Sequence, residues 1–184
     1  LANGAPLPSW LSFDPTTRTF SGTPLNGDVG TIAIRVRARD GGGLSATTDF
    51  NIDTSNVNDA PVVGNAIANQ LATEDAAFIF MLPPDTFVDV DAGDSLTLSA
   101  RLANGDALPD WLTFEPVTRT FYGIPENGDV GSIEVEVTAT DGDGESVSDT
   151  FRIDIANVND APVVANAIEN QAATQGEVFS FEIP

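Results

Sequence analysis

The chain has no cysteine and no histidine among its 184 residues. It therefore forms no disulfide bond, and it cannot build a zinc, haem or thiolate site or a nucleophile–histidine catalytic pair. Lysine is also absent, so all seven basic residues are arginine against 28 acidic residues, and the formal net charge is −21. Such a chain is a poor partner for nucleic acid or anionic membranes and a good partner for divalent cations.

Long apolar runs are missing as well. The chain has no uninterrupted apolar stretch of the length that crosses a bilayer, which predicts no membrane insertion of this segment. No secretory leader is recognisable, as expected for a segment from within a longer array. At 41% hydrophobic residues, the composition is that of a folded chain rather than of a disordered acidic tail.

One segment occurs twice, as Asn56–Val63 and as Asn157–Val164, and reads Asn-Val-Asn-Asp-Ala-Pro-Val-Val both times. The whole chain follows this register: Leu1 aligns with Leu102, an offset of 101 (102 − 1), and more than half of the overlapping positions are identical. Such a period is a whole domain rather than a solenoid coil of about 20–50 residues. The predicted organisation is the C-terminal part of one repeat at 1–60, a complete repeat at 61–161, and the first strands of a third repeat at 162–184.

Strand-length segments fill the complete repeat. The clearest is 132–140, where Ile133, Val135, Val137 and Ala139 alternate with polar residues at the period of a half-buried strand. Further extended segments are predicted at 62–70, 76–82, 86–90, 95–102, 111–114, 120–123 and 150–155. About seven short strands at roughly ten-residue spacing, with Gly, Pro, Asn and Asp between them, predict an all-β fold class. The expected architecture is tandem Ig-like Greek-key β-sandwich repeats of about seven strands.

Acidic residues are concentrated in loops, as in Asn58-Asp59, Asp89-Val-Asp91, Asp141-Gly-Asp143-Gly-Glu145 and the Asn-Gly-Asp turn that ends at Asp28. Calcium takes about six to eight hard oxygen ligands, so loops rich in Asp and Asn are typical of a calcium site. Asp89 and Asp91 are two residues apart on an extended chain, so both side chains can face one ion. An EF-hand loop starting at Asp141 is excluded, because its twelfth position is Arg152 instead of glutamate.

The same residue types also suit ordinary solvated turns, since Asp and Asn favour turns for conformational reasons. Asp143 and Glu145 are replaced by Gly42 and Leu44 in the first repeat, which favours a solvated turn for these two residues. Trp111 and its counterpart in the first repeat are expected in the core, with a sugar-stacking surface as the alternative.

Three motifs resemble those of cadherins. Asn-Val-Asn-Asp-Ala-Pro resembles the Asp-x-Asn-Asp-Asn linker, Asp89-Val-Asp91 resembles Asp-x-Asp, and Ala139-Thr-Asp141 resembles the start of Ala-x-Asp-x-Gly. The run Leu-Pro-x-Trp-Leu-x-Phe-x-Pro-x-Thr-Arg-Thr-Phe-x-Gly-x-Pro at 108–125 looks like the dystroglycan-type cadherin-like repeat of bacteria, an Ig-like family. The resemblance covers the whole chain and implies a rigid rod with calcium between successive domains.

The resemblance also implies a set of calcium ligands at each joint. The set at the first joint is Asn58 and Asp59 from the linker, Asp89, Asp91 and Asp141 from the following domain, and Asp28 from the preceding one. The like-for-like set at the second joint is Asn157, Asn159, Asp160, Asp129 and Gln70. The linker departs from the family at Asn56 and Ala60, and the family's Leu-Asp-Arg-Glu motif is absent. These departures remove charge and imply fewer ions or weaker binding, at about 10⁻⁴–10⁻³ M.

Three functions of different classes fit these observations. The preferred one is an extracellular, calcium-stiffened stalk or spacer in a bacterial adhesin or large secreted surface protein, with the neighbouring repeats as its partners. The second is a binding module for polysaccharide or for like domains, which would use an exposed aromatic residue such as Tyr122. The third is a self-assembling subunit, in which residues 162–184 of one chain complete the next chain by strand addition. Catalysis is not expected, because the acidic pairs lie in turns of a structural repeat.

Overall fold

The computed structural model describes residues 1–91 and 93–183, and the regular structure of this part of the chain is almost entirely β. Within these residues, the first repeat has four strands: β1 Leu11–Asp14, β2 Thr19–Gly22, β3 Gly30–Arg39 and β4 Ser45–Thr54. A short 3-10 turn, Asn26–Asp28, stands between β2 and β3. β1 pairs with β2 and β3 pairs with β4, both antiparallel.

The second repeat has nine strands among its described residues, and seven of them have four residues or more. They are β5 Val62–Val63, β6 Gln70–Thr73, β7 Phe78–Met81, β8 Phe87–Val88, β9 Thr97–Leu102, β10 Leu112–Glu115, β11 Thr120–Gly123, β12 Gly131–Thr140 and β13 Ser146–Ala156. A second 3-10 turn, Asn127–Asp129, lies between β11 and β12, at the place equivalent to the turn of the first repeat.

The strands of the second repeat form two open sheets. One has the order β10-β11-β7 and the other β6-β13-β12-β9, while β5 and β8 form a small separate ladder. β12 and β13 are antiparallel, with Val135 opposite Phe151 and Ile133 opposite Ile153. β6 runs parallel to β13, so the beginning and the end of the repeat lie side by side in one sheet. The all-β Ig-like sandwich predicted from the sequence is confirmed.

The core lies between the two sheets and consists of the alternating apolar positions of their strands. The fully buried residues of β12 and β13 are Val135, Val137, Ala139, Phe151 and Ile153. The opposite sheet contributes Phe121, whose ring lies 4.4 Å from Phe114 and 5.5 Å from Phe151 between ring centroids. Burying one such side chain stabilises the fold by about 1.5–3 kcal/mol. The predicted inward face of β12 is confirmed, with Ile133 partly buried at its end.

A glycine permits the close approach of β11 to the chain at Trp111. A Cβ atom on Gly123 would lie 1.7 Å from the carbonyl oxygen of Trp111, so only glycine fits there, and Gly22 has the same relation to Trp10. The Trp111 ring is half-buried and meets Phe78 edge-on, with 6.1 Å between ring centroids. This contact places Trp111 against the core, as the sequence predicts.

Two predicted segments differ in extent from the structure. The segment 62–70 contains only β5, and β6 begins at its last residue and continues to Thr73. β6 is an edge strand whose Leu71 is exposed, so it lacks the alternation that reveals a half-buried strand. The segment 86–90 shortens to β8, because the chain turns at Asp89, whose carboxylate accepts the backbone N–H of Asp91.

The expected first strands of a third repeat do not form in the described part of 162–184. No strand is described between residues 157 and 183, and Pro184 lies outside the described residues. In the second repeat, β6 and β7 pair with β13 and β11. The assignment of residues 162–184 to a third repeat stays a prediction.

Candidate metal centre

Three segments meet at one end of the second repeat. The linker 55–61 joins β4 to β5, Asp89 and Asp91 follow β8, and Asp141 follows the last residue of β12. The side-chain amide of Asn58 donates to Asp141 Oδ2 at 3.1 Å, and the backbone N–H of Asp59 donates to Asp91 Oδ2 at 2.7 Å. These two hydrogen bonds tie the linker to both acidic loops. The structure thus brings together five of the six residues predicted for the first joint.

Asp141 organises the loop that connects β12 to β13. Its Oδ1 accepts the backbone N–H groups of Asp143, Gly144 and Glu145 at 3.0, 2.7 and 2.9 Å, and the residue is only 6% exposed. The hydrogen bond from Asn58, together with those backbone N–H groups, holds the pKa of Asp141 below its usual range despite burial. Asp141 is therefore ionised at neutral pH, and it fixes both its own loop and the linker.

Asp89, Asp91 and Asp94 form an acidic cluster in the loop after β8. One carboxylate oxygen from each residue lies within 4.8 Å of the others. Asp91 is 5% exposed, whereas Asp89 is half-buried and Asp94 is exposed. Partial desolvation raises the pKa of Asp94, and repulsion from Asp89, Asp91 and Asp141 raises it further. Like charges at this density are unfavourable unless a cation balances them.

Three buried oxygens at this end of the repeat have no hydrogen-bond partner among the described residues. Two belong to the acidic cluster, Asp89 Oδ2 and Asp91 Oδ1, and the third is Asn58 Oδ1 of the linker. An unpaired buried polar group costs about 1–3 kcal/mol, and a charged one costs more. Carboxylate and amide oxygens are the ligands that calcium takes, whereas the nitrogen and sulfur ligands of zinc are missing from the sequence. The residues present therefore fit calcium, and the unpartnered oxygens come from both the linker and the following repeat.

The preceding repeat contacts the linker through Asn26. The side-chain amide of Asn26 donates to Asp59 Oδ2 at 2.6 Å. Asp28, the residue predicted as a ligand, instead accepts the backbone N–H of Leu25 at 2.9 Å and so closes its own 3-10 turn. The structure thus gives Asp28 a capping role, and calcium binding by Asp28 stays a prediction.

The second joint has a related arrangement on the side of the preceding repeat. The amide of Asn127 donates to Asp160 Oδ2, as Asn26 does to Asp59 at the first joint. Asp129 Oδ2 accepts the backbone N–H just before its own 3-10 turn, at 2.8 Å. Asn159 and Asn157 are exposed, and the Asn159 amide donates to the carbonyl oxygen of Asp160 at 3.3 Å.

Glu74 contacts the second linker, whereas the predicted ligand Gln70 does not. Glu74 is 1% exposed, its Oε1 accepts the backbone N–H of Val158, and its Oε2 is buried without a hydrogen-bond partner among the described residues. Gln70 lies on β6, and its amide donates to the carbonyl oxygen of Ala68 at 2.8 Å. Glu74 is therefore the better candidate for a ligand at this joint.

Sequence reasoning missed Glu74, Asp94 and Asn26 as site residues. Asp94 had a visible signal, because it is the third acid within six residues of the Asp89 loop. Glu74 had none, since its burial follows from the parallel pairing of β6 with β13, which joins distant parts of the repeat. Asn26 had none either, because an Asn-Gly-Asp turn has the same sequence whether or not its first residue contacts the linker.

The model of the family described as "Putative Ig domain" matches residues 1–55 and 60–156. These two ranges make up most of the chain, and the protein therefore belongs to this family of Ig-like domains. The finer assignment to dystroglycan-type cadherin-like repeats stays a prediction. No helix described in the chain has the length and apolar character needed to cross a membrane.

The chain is similar to part of a staphylococcal surface protein. It is 25% identical over 170 residues to the serine-rich adhesin for platelets of Staphylococcus aureus (strain USA300), and the match covers 92% of this chain. It covers only 6% of the adhesin, so the chain spans a small part of the length of this relative.

Two solved structures of cadherin domains are also similar. Extracellular domains 1–5 of protocadherin gamma B2 match with a TM-score of 0.57 and 16% identity over 83% of this chain and 32% of that chain. Domains 1–4 of protocadherin gamma B7 match with a TM-score of 0.54 and 19% identity over 82% of this chain and 39% of that chain. At these identities the likeness concerns the fold alone, and it agrees with a cadherin-like sandwich.

Proposed function

We propose that the chain is a non-catalytic, calcium-linked repeat from the extracellular stalk of a bacterial adhesin or large secreted surface protein. Calcium at each joint would stiffen the array and hold a distant binding domain away from the cell. The observation that carries this proposal is the set of buried oxygens on Asn58, Asp89 and Asp91 that have no hydrogen-bond partner within residues 1–91 and 93–183. Because these oxygens come from a linker and from the repeat that follows it, an ion held by them would join two units.

The hydrogen bonds around the cluster account for the stiffening. The side-chain amide of Asn26, in the preceding repeat, donates a hydrogen bond to Asp59. The backbone N–H of Asp59 donates to the Asp91 carboxylate, and the side-chain amide of Asn58 donates to the Asp141 carboxylate. A bound divalent cation would supply the positive charge that offsets the repulsion between the carboxylates. The linker would then be fixed to both repeats, and its bending relative to either would be restricted.

Glu74 extends the proposal to the second joint. Its Oε1 accepts the N–H of Val158, which directly precedes Asn159 and Asp160 in the linker, and its Oε2 is buried without a hydrogen-bond partner among the described residues. Each complete repeat would thus offer Glu74 to the joint that follows it and Asp89, Asp91 and Asp94 to the joint that precedes it. The similarity to a staphylococcal adhesin supports an adhesive, surface-exposed setting for such an array.

The test is small-angle X-ray scattering on two copies of residues 61–161 joined directly. The sequence across the junction is then Asn157-Val-Asn-Asp160-Ala161-Pro61, which repeats the natural linker letter for letter. The joint contains Glu74 and Asn127 from the first copy and the acidic cluster of the second. We expect a longer particle with less interdomain bending in calcium than in EGTA.

At a calcium concentration near the Kd of the natural protein, the Asp91→Asn variant of this tandem protein should show a much smaller difference in scattering between calcium and EGTA. Glu145→Gln is the matched control, since it removes one exposed charge from the same end of the repeat at a position that is Leu44 in the first repeat. Scattering of the natural tandem protein that does not change when calcium is added would refute the proposal.

A second candidate function, binding of a neutral polysaccharide, rests on the outer face of the β10-β11-β7 sheet. Tyr122 is 46% exposed there, and its cross-strand neighbour is the exposed Ile79. The corresponding positions in the neighbouring repeats are Ser21 and Ser180, so the fold does not require the apolar residues. Retention on insoluble glycans that is lost in Tyr122→Ser would favour this function, and equal retention of both proteins would refute it.

A further inference from the structure

Three of the chain's seven arginines stand in a row on β3: Arg35, Arg37 and Arg39. Alternate residues of a strand point to the same face, so the three guanidinium groups project from one face at intervals of about 6.7 Å along the strand. All three residues are exposed. This arginine row is the densest positive charge in a chain whose net charge is −21.

Two members of the arginine row have no acidic partner. Arg35 forms a two-point ion pair with Asp49, at 2.8 Å from Nε and 2.7 Å from its terminal nitrogen. Arg37 donates to Ser45 Oγ at 3.0 Å, and neither Arg37 nor Arg39 has a salt bridge within the described part of the chain. The guanidinium groups of Arg37 and Arg39 thus have donors free for a ligand.

The second repeat shows that the fold does not need the arginine row. The positions equivalent to Arg35, Arg37 and Arg39 at the offset of 101 are Glu136, Thr138 and Thr140. On the inner face of the same strands, by contrast, Ile32, Val36 and Ala38 match Ile133, Val137 and Ala139. The two copies therefore share the residues that pack in the core and differ in charge on the exposed face.

We propose that the arginine row binds an acidic polysaccharide, a polymer that carries sulfate or carboxylate groups. Guanidinium groups bind such oxyanions through paired hydrogen bonds. The hydroxyl groups of Ser45 and Thr47, directly opposite on β4, can bind the hydroxyl groups of sugars. Asn26, which contacts the linker, lies shortly before the start of β3 at Gly30, whereas Arg37 and Arg39 lie at the other end of this strand. The inference therefore does not depend on calcium binding at the first joint.

The composition of this face favours a sugar polymer over a protein or a nucleic acid. The outward residues of β3 and β4, at odd positions from 31 to 39 and from 45 to 53, are all exposed and include no aromatic or large aliphatic side chain. Protein interfaces have an apolar, aromatic-rich centre, and single-stranded nucleic acids need aromatic stacking surfaces. Two acids share this face, Asp49 and Asp53, and Asp49 is already paired with Arg35. Charges more than about 8 Å away are largely screened at physiological salt, so the acidic residues elsewhere in the chain oppose binding only weakly.

The test compares the 184-residue chain with two double variants that lose the same charge. Arg37→Thr with Arg39→Thr installs the residues of the second repeat, while Arg101→Thr with Arg152→Thr removes two arginines that are paired with Glu136 and Asp154. Binding to heparin, polygalacturonate and neutral dextran is measured by biolayer interferometry in EGTA, which excludes bridging through calcium. Unchanged circular dichroism spectra verify that the variants are folded.

We expect the natural chain to bind heparin, polygalacturonate or both, and not dextran. Binding should weaken about tenfold in the Arg37/Arg39 variant and at most about threefold in the control. The preferred polymer identifies sulfate or carboxylate as the bound group. Equal weakening of both variants, or no binding to either acidic polymer, overturns the proposal.

Two further outcomes would also overturn it. Equally tight binding of duplex DNA would mean a general attraction to polyanions. A dimer in light scattering that dissociates in the Arg37/Arg39 variant would mean that the row contacts a second copy of the chain.

Discussion

Replacing Asp91 by asparagine should change the stability of the second repeat in opposite directions with and without calcium. In EGTA, the substitution removes one of the like charges whose oxygens lie within 4.8 Å of one another. Two charges 4.8 Å apart repel by about 3.5 kcal/mol at an effective dielectric constant of about 20, and by about 0.9 kcal/mol at that of bulk water. An asparagine oxygen still accepts the backbone N–H of Asp59, although that bond is weaker by about 0.5–1 kcal/mol. The expected net gain in EGTA is about 0.5–2 kcal/mol.

In calcium the sign reverses, because the variant loses a carboxylate ligand. A ligand at one hundred times its Kd stabilises a protein by about 2.7 kcal/mol, which corresponds to roughly 10–20 °C in Tm for a domain of this size. If the substitution raises Kd about tenfold, about half of this gain disappears.

The assay is thermal unfolding in about 10 mM EGTA and in about 10 mM CaCl₂. This calcium concentration is about one hundred times the lower end of the Kd range expected for such modules. Glu145→Gln, the control of equal charge, should keep the full calcium increment. A lower Tm of Asp91→Asn in EGTA, or an undiminished calcium increment in this variant, would refute the reasoning.

Three other predictions follow from the same geometry. Phe121→Ala should lower the free energy of unfolding of the second repeat by about 3–5 kcal/mol in urea denaturation. Phe20→Ala, at the equivalent but half-buried position of the first repeat, should lower it by about 1–2 kcal/mol. Equal losses would contradict the different burial of the two rings. Glu74→Gln in the tandem protein should weaken calcium binding about tenfold in calorimetry with little change of Tm in EGTA, and an unchanged affinity would remove Glu74 from the site. The Arg35 guanidinium holds the pKa of Asp49 below its usual range, so the stability from this pair is present above about pH 3.9 and is lost as pH falls below that value. Carboxyl NMR titration should return the pKa of Asp49 to its usual range in Arg35→Thr, and an unshifted titration would contradict the ion pair.

The fold was predictable because its signals are local or repeated. The alternation of apolar and polar residues in 132–140 predicts a strand with one face in the core. The offset of 101 residues between the two copies indicates that the repeated unit is a domain. β6 escaped prediction because edge pairing buries little of it, and its partner β13 lies some eighty residues away in the chain.

The candidate site was predictable only in part. Motif spacing identified Asp89, Asp91 and Asp141, which the structure brings to the linker. It did not identify Glu74, because an acid followed by Asp75 in a turn between two strands has the same sequence whether it is solvated or buried. Its 1% exposure is set by strand pairing over a long sequence separation.

Calcium binding itself is the most direct test of the account. Isothermal titration calorimetry of the 184-residue chain should show saturable binding with Kd at about 10⁻⁴–10⁻³ M, and Asp91→Asn should reduce or abolish the first-joint site while Glu145→Gln leaves it intact. Absence of saturable binding up to 10 mM calcium (about ten times the weakest expected Kd), or binding that Asp91→Asn leaves unchanged, would contradict the claim that this acidic cluster is a calcium site between repeats.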